Sequence, residues 1–470
     1  VTNNSFVDDL TFDGMRKHLE SDFDSVYILN LTGNVRENPK LSGTTHNVFG
    51  IQVGVSIAFL VRRKQTSEVS RRAHIYYART GEEWRKEEKY DFLNDKGSYD
   101  RIEWQEILPD KRYNWLLEGL QNDFDSLMPI GSKLAKADKA NAIFKNYSRG
   151  VETDRDIWAY NFSAQALENN MRLTIETYND HVSRWQRTTP KPAVDDFVSY
   201  DDQKIGWSRD LKLDMQRGRF VEFESHKVRE SMYRPFSKKY LYFDRIMNQE
   251  VGQFPYFYPT KETEKENLVI GVVIEPQIPF SSQMTNKLPA LHYGGRQTTC
   301  FPFYVYDEDG SNRRENISDW ALAQFNEHYG VGAASTVGAT RPGITGASSS
   351  QDDAHNGTTS GHDGSPLPTA DTVAITKWDI FYYVYALLHS PSYREKYAAN
   401  LKRDLPHIPF VDTVETFWQY AEAGKQLAEL HVNYEKQAEY PLEMVENPEA
   451  KLDWRVEKMK LVKNPLPASP

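Results

Sequence analysis

The strongest constraint on the fold is an apolar run with a two-residue period inside GTTHNVFGIQVGVSIAFLVRRK (residues 43–64). Between Val48 and Val61 only Gln52 and Ser56 are polar, and the run is shorter than the roughly 20 apolar residues that cross a bilayer. One face carries β-branched or aromatic side chains and the other mostly small ones: Ile51, Val53, Val55, Ile57, Phe59 and Val61 against Gln52, Gly54, Ser56, Ala58 and Leu60. This alternation predicts a central strand in a sheet that is covered on both faces.

Residues 1–80 around this run alternate strands with a helix. VTNNSF (1–6) has the pattern of a strand end, FDGMRKHLESD (12–22) that of an amphipathic helix, and SVYILNL (25–31) and AHIYYA (73–78) that of strands. The order is typical of an α/β fold. We therefore predict that the chain opens on the tail of a doubly wound sheet.

Residues 81–330 mix helical and strand patterns, which predicts an α+β region with its own core. Two stretches favour helices and three favour strands: 123–146 and 162–185, then 221–251, 267–274 and 300–307. The fold class expected for the whole chain is thus α/β followed by α+β.

The last part of the chain divides into a low-complexity segment and a helical one. Residues 331–375 are dominated by Gly, Ser, Thr, Ala and Pro, so burial cannot offset the entropy of ordering them, and a disordered insertion is predicted. Residues 376–470 form a C-terminal helical part. In it WDIFYYVYALLHS (378–390) is apolar nearly all round and is expected to be buried, and a final helix is expected over 414–434.

Composition excludes several classes of protein. The chain has 470 residues, enough for two to four domains, with a net charge of -10. That charge argues against a generic nucleic-acid coat, although it allows a local basic groove. The single cysteine, Cys300, excludes a disulfide framework and a cysteine-based zinc site, which favours a cytoplasmic protein. No membrane segment is expected.

Acidic pairs are the first candidates for metal or catalytic chemistry, and none has the spacing of a known ligand set. DDFVSYDDQK (195–204) faintly resembles the carboxylate and lysine arrangement of nucleases, but its short spacing favours a surface turn. We predict no metal site. No complete catalytic site can be assigned in this chain either.

MYRPFSKKYLYFDR (232–245) interleaves basic and aromatic residues and allows two interpretations. Its cations could neutralise phosphates while the rings stack, or they could form the solvated face of a strand pair with an aromatic core face. The basic residues are Arg234, Lys238, Lys239 and Arg245. LHYGGRQTT (291–299) is a glycine-hinged loop that could reach a groove or merely turn.

The segment order in 1–80 resembles the closing part of N6-adenine DNA methyltransferase domains. The resemblance rests on VTNNSF, on Met15, Arg16 and Leu19 in the following helix, and on THNVFGIQVGVSIAFLVRRK (45–64). It implies that Phe49 packs against an adenine flipped out of the duplex, because an aromatic side chain can stack on an extruded base.

Longer stretches resemble the C-terminal part of type ISP restriction–modification enzymes. They are LTGNVREN (31–38), HNVFGIQVGVSIAFLVRR (46–63), YRPFSKKYLYFD (233–244), TTCFPFYVYD (298–307) and DIFYYVYALLHSPSYREKYAANLKRDLPHIPF (379–410). The resemblance implies that 1–80 ends an adenine methyltransferase domain and that 81–330 recognises the DNA target. Residues 376–470 would then complete the specificity domain.

This resemblance also implies partners, a cofactor and contact residues. Double-stranded DNA is the expected partner, together with upstream methyltransferase, helicase and nuclease regions of one polypeptide. S-adenosylmethionine is the expected cofactor of that polypeptide, but the family's cofactor and catalytic motifs do not occur in this chain, which alone is expected to be inactive. The expected phosphate contacts are Arg62, Arg63, Arg234, Lys238, Lys239 and Arg245.

Two alternatives to DNA recognition stay open. An acidic chain with 27 tyrosines also fits a glycan-binding or small-molecule-binding module, and a non-catalytic remnant of a restriction enzyme is a third possibility. Salt separates the first two, because counterion release makes DNA binding steeply salt-dependent.

Overall fold

Short strands and helices alternate along the part of the chain that the computed structural model describes, residues 1–34, 45–62, 72–110, 112–116, 120–121, 123–136, 140–275, 278–330 and 374–438. The strands are β1 Thr2–Asn3, β2 Ser25–Asn30, β3 Val55–Val61, β4 His74–Arg79, β5 Gln105–Ile107, β6 Met128–Pro129, β7 Ser148–Arg149, β8 Tyr160–Asn161, β9 Val228–Arg234, β10 Ser237–Tyr242, β11 Val269–Val273, β12 Ser281–Thr285, β13 Leu288–Pro289, β14 Thr298–Pro302, β15 Tyr304–Val305, β16 Arg314–Glu315 and β17 His407–Ile408.

The α-helices are α1 Ser5–Asp8, α2 Asp13–Asp22, α3 Lys86–Lys96, α4 Lys133–Lys136, α5 Asp156–Ala159, α6 Ala164–Arg187, α7 Val194–Phe197, α8 Arg209–Gln216, α9 Phe254–Phe257, α10 Lys261–Glu264, α11 Asp319–Tyr329, α12 Lys377–Leu387, α13 Pro391–Lys396 and α14 Val414–Val432. Residues Val1–Tyr434 form one compact unit, and Glu435–Pro470 belong to a second. The predicted insertion at 331–375 lies outside the described residues except for its last two.

The first sheet has the strand order β1-β3-β2-β4-β5. Only β2 and β4 run parallel, and every other pair in this sheet is antiparallel. Side chains of β2 enter separate cores on the two faces, with Val26 and Ile28 on one side and Leu29 on the other. The sheet is therefore covered on both faces, as the apolar alternation predicted.

The prediction for the opening apolar run was wrong in two respects. The regular strand β3 covers only Val55–Val61, and the preceding residues form a loop. The central strand is β2. Strand β3 lies between β1 and β2, and it pairs with β1 at only two positions. Consequently Phe59, Leu60 and Val61 are 37%, 42% and 38% exposed. The expected strand through VTNNSF is also short, because α1 begins at Ser5.

The first sheet continues beyond residue 80, where the sequence predicted the first domain to end. Strand β5 pairs antiparallel with β4, and buried Trp115 packs into the same core as β2. The Trp115 indole also donates to the Glu20 carboxylate at 2.8 Å. The segment that leaves the sheet thus returns across one of its faces.

Two four-stranded sheets follow, with the orders β13-β9-β10-β8 and β12-β11-β14-β7. A shared core lies between them and includes Met232, Leu241, Val269 and Cys300. On the first of these sheets α6 and α8 pack through a second core that contains Tyr178 and Tyr242. The prediction of helices over 123–146 was largely wrong, because buried side chains there enter the core from short irregular segments.

Helices α12 and α14 pack into the same core as β11 and β14. The buried character predicted for 378–390 is confirmed, since Phe381, Tyr383, Val384 and Tyr385 are fully buried. The C-terminal helices therefore complete the core of the preceding region. No helix within the described ranges is long and apolar enough to cross a membrane.

We predict that Gly424→Ala lowers the free energy of unfolding by about 1–3 kcal/mol, because overpacking forces the backbone to move. A β-carbon at Gly424 in α14 would stand 2.0 Å from the Tyr382 carbonyl oxygen in α12. Urea denaturation measures the change. The matched control is Gly14→Ala in α2, where an added β-carbon meets nothing within 4 Å. That variant is expected to be as stable as the parent or slightly more so, and equal losses for both variants would contradict the prediction.

Candidate nucleic-acid interface

Phe49 lies at the tip of the loop that enters β3, with 61% of the residue exposed. The buried Asn47 side chain organises this loop. Its amide nitrogen donates to the Val53 carbonyl at 2.6 Å, and its amide oxygen accepts from the Phe49 backbone N–H at 2.9 Å. Because these bonds tie the later part of the loop to one side chain, the Phe49 ring projects into solvent from an anchored backbone. A base could stack on such a ring.

The basic end of the same strand is only partly described. Arg62 is exposed directly after β3. Arg63 lies outside the described residues, so its predicted phosphate contact stays a prediction.

Arg234 and Lys239, from the two strands of the β9–β10 hairpin, meet at Tyr233. The Arg234 guanidinium and the Lys239 ammonium lie 4.0 and 3.9 Å from the centre of the Tyr233 ring. Tyr233 donates a hydrogen bond of 2.8 Å to Asp156, which also lies 3.8 Å from Arg234. Burial lowers the pKa of Lys239, with Arg234 acting in the same direction and Asp156 opposing it. Two of the predicted basic residues thus form one cluster.

The other two predicted basic residues of the hairpin lie apart from this cluster. The Lys238 ammonium stands 5.1 Å from the centre of the Tyr434 ring. Arg245 follows the hairpin and pairs with Glu308 at 2.7 Å. The hairpin is thus a strand pair with an aromatic core face, because Tyr242 enters the core while Arg234 and Lys239 are only partly buried. Contact of these cations with phosphates stays a prediction.

The glycine-hinged loop 292–297 lies beside the hairpin tip. A β-carbon on Gly295 would be 3.9 Å from Pro235, which follows Arg234 in the turn. The loop is anchored by the buried Tyr293, whose hydroxyl donates to the Gln283 carbonyl at 3.0 Å. The Thr298 hydroxyl accepts from the Gly294 N–H at 3.0 Å and donates to the Arg296 carbonyl at 2.8 Å.

Three polar side chains leave this anchored loop for solvent: His292, Arg296 and Gln297. The nearest ion-pair contact of Arg296 among the described residues is Glu275, at 3.9 Å and therefore weak. The sequence reading left open whether this loop only turns. The pair of adjacent glycines is the sequence signal for a fixed loop backbone. A β-carbon on Gly294 would stand 2.6 Å from Val273, and Gly295 has a φ of +93°.

A groove of about 320 Å³ is lined mainly by residues 151–156 and is reached by Arg234 of the hairpin and His292 of the loop. Arg234 and His292 line it together with the carboxylates Glu152, Asp154 and Asp156. The groove thus offers hydrogen-bond donors and acceptors side by side. Base edges present both kinds of group, whereas phosphate presents only acceptors.

The acidic stretch 195–204 behaves as the surface turn that its spacing favoured. Asp195 pairs with Lys212 and accepts from Tyr200 at 2.7 Å, and Lys204 pairs with Asp201 at 3.0 Å. Within the part of the chain that the structure covers, no three His, Cys, Asp or Glu residues are grouped as a metal site.

Comparison with known proteins gave one family and several solved structures. Residues 142–466 match the model of the type ISP C-terminal specificity domain. A comparison with curated protein sequences gave no match.

The chain is similar to a cryo-EM structure of a DrdV–DNA complex, at 32% identity over 95% of this chain and 39% of that one, with a TM-score of 0.71. It is similar to a nuclease-deletion mutant of the type ISP restriction–modification enzyme LlaGI in complex with a DNA substrate mimic: 28% identity, 93% of this chain, 35% of that one and a TM-score of 0.68. The chain is also similar to the ATP-dependent type ISP restriction–modification enzyme LlaBIII bound to DNA. The identity is 26% over 93% of this chain and 25% of that one, with a TM-score of 0.68. The chain thus spans well under half the length of each.

We predict that Asn47→Ala destabilises the first sheet and its loop by about 1–3 kcal/mol, because it leaves buried backbone groups without partners. Urea denaturation followed by tryptophan fluorescence measures the loss. Gln52→Ala in the same loop is the matched control, since Gln52 is exposed and its loss should change stability by less than about 0.5 kcal/mol. An unchanged midpoint in the Asn47 variant would show that the amide does not organise the loop.

Proposed function

This chain belongs to the family of type ISP C-terminal specificity domains, and from that premise we propose that it recognises a DNA sequence on behalf of a restriction–modification enzyme. The observation that carries the proposal is the meeting of the β9–β10 hairpin with the loop 292–297. Cationic side chains, an amide and a polar groove share one surface there. The DNA complexes of the similar enzymes support the same reading.

The surface divides naturally between phosphate and base contacts. Arg234 and Lys239 are held over an aromatic ring, and the 3.8 Å pair between Arg234 and Asp156 is weak enough to be exchanged for a phosphate. Arg296 and Gln297 project from a fixed loop, and Arg and Gln are the side chains that bind guanine and adenine edges in pairs of hydrogen bonds. We assign Arg234 and Lys239 to phosphate contacts, and Arg296 and Gln297 to base contacts.

We further propose that the first sheet is the C-terminal part of an N6-adenine methyltransferase domain, in which Phe49 stacks on the flipped target adenine. Its exposed ring on an anchored loop supports this role. Residues 81–330 and 376–470 would then supply target recognition. Methylation and restriction would belong to a longer polypeptide that includes this chain.

S-adenosylmethionine would supply the methyl group in that polypeptide, but the turn between β4 and α3 has no room for it. Gly81 follows β4 at a turn into α3, where a glycine could leave room for a cofactor. A β-carbon there would stand 2.4 Å from the Trp84 indole, so protein already fills the space. We therefore derive no step through the cofactor and expect no methyl transfer by this chain alone.

We predict that duplex DNA binds this chain with an affinity that falls steeply as salt rises, because bound phosphates release counterions. Fluorescence anisotropy with a labelled mixed-sequence duplex at several salt concentrations gives the slope of log affinity against log salt. Arg234→Ala and Lys239→Ala should each reduce that slope by about 1. Lys204→Ala is the control, since Lys204 is an exposed lysine outside the hairpin and pairs with Asp201. Salt-independent binding, or none, would refute DNA recognition.

We predict that Arg296→Ala relaxes sequence preference, whereas Lys239→Ala weakens binding to all sequences alike. Selection from a random duplex pool first yields the preferred site. Competition between that site and its single-base variants then measures discrimination, and losing one paired contact to a base should remove about 1–3 kcal/mol of it at one position. Retention of full discrimination by the Arg296 variant would remove this residue from base reading.

A further inference from the structure

The buried Lys89 ammonium lies against the loop that carries Phe49. Lys89 belongs to α3, the first helix after β4, and is 0% exposed. Its Nζ donates to the His46 carbonyl at 2.6 Å. Burial lowers the pKa of Lys89, while the carboxylates of Glu82 and Glu88 oppose that shift. A buried cation is costly unless it binds a group that needs it.

Two further groups from the first turns of α3 bind the same loop. The Tyr90 hydroxyl donates to the Val48 carbonyl at 2.6 Å. The backbone N–H of Lys86 donates to the Thr45 carbonyl at 2.9 Å. Together with Lys89, one helix end thus engages three carbonyls on the segment that leads into Phe49.

These three bonds hold the part of the loop before Phe49, which the Asn47 side chain does not bind. The Asn47 amide holds the later part of the loop through Val53 and through the Phe49 N–H. The helix holds the carbonyls before Phe49. With both sides fixed, the backbone that carries the ring can shift only if several hydrogen bonds break together.

The Lys89 ammonium can only donate hydrogen bonds, and the partner that the structure gives it is a carbonyl oxygen. A methionine would fill the space of the lysine stem without burying a charge, but it would leave the His46 carbonyl without this donor. A lysine at this position therefore contributes chiefly through the hydrogen bond to His46. That bond is useful where the conformation of the loop has to be exact enough for a base to meet the ring.

We propose that Lys89 and Tyr90 are positioning residues that hold the Phe49 loop ready for an extruded base. The proposal rests on the function proposed above for Phe49. Helix α3 lies between β4 and β5 of the first sheet, and in sequence it precedes the residues that match the specificity domain.

The mobility of the loop tests the proposal directly. Cys300 is the chain's single cysteine and is fully buried, so Phe49→Cys accepts a thiol-reactive spin label at position 49 alone. Electron paramagnetic resonance then compares the labelled parent with Lys89→Met and Tyr90→Phe. Lys86→Met is the matched control, since its exposed side chain leaves the backbone bond to Thr45 intact.

We expect the rotational correlation time of the label to fall by about threefold with Lys89→Met and about twofold with Tyr90→Phe, because loop motion on the nanosecond scale is released. Lys86→Met should leave it unchanged. Urea denaturation shows whether each variant is folded, and Tyr90→Phe, which removes only a hydroxyl, keeps the test valid if Lys89→Met does not fold. Equal label mobility in folded variants and parent would overturn the proposal.

A second measurement separates this proposal from the proposed function. It uses unlabelled protein with Phe49 present and a duplex that carries one 2-aminopurine opposite an abasic site. Lys89→Met should bind the duplex as tightly as the parent, because Arg234 and Lys239 are intact. It should raise 2-aminopurine fluorescence at most half as much, because the extruded base is held less firmly by the ring and returns to the quenching base stack. A parent that fails to bind the duplex would refute DNA recognition, while the label would still decide whether Lys89 orders the loop. An equal rise in fluorescence with parent and variant would overturn the positioning role.

Discussion

The buried guanidinium of Arg16 is the interaction that joins α1, α2 and the segment around Tyr113. It is 0% exposed and donates to the Phe6 and Asp9 carbonyls at 2.9 and 2.7 Å, which fixes α1 against α2. Its Nε donates to the Tyr113 carbonyl at 2.5 Å, on the segment that leaves the sheet. A cation that cannot be deprotonated and has no access to water must keep these partners. The course of the chain from the sheet to the specificity domain is set at this point.

The sequence predicted which segments form strands and helices better than it predicted how those segments pair with each other. Alternation identified β2, β3 and β4, and helical periodicity identified α2, α6 and α12, because these patterns are local. The alternating apolar pattern in the sequence extends over the loop before β3, so it predicted a strand that is too long. Val48 in that loop is buried although it belongs to no strand. Strand order could not be predicted, because the central place of β2 follows from pairings with residues that are distant in sequence.

The candidate site shows the same limit. Residue types in 232–245 indicated a basic and aromatic surface, and the family resemblance is confirmed over 142–466. The sequence did not indicate that Arg234 and Lys239 share Tyr233 while Arg245 pairs with Glu308, because those partners are fixed by tertiary packing. It also gave no sign that Lys89 is buried, since a lysine within KEEKYDFLNDK reads as a solvated helix face.

In the loop 292–297, the groups that fix the backbone differ from the side chains that reach solvent. Its backbone is determined by two glycines, by the buried Tyr293 and by the Thr298 hydroxyl, and not by the side chains of Arg296 and Gln297. Those two positions can therefore be replaced with little loss of stability. Under the proposed function, a lineage of such enzymes could acquire a new recognition sequence by single substitutions on an unaltered scaffold. Divergence of specificity would then proceed without an intermediate that fails to fold.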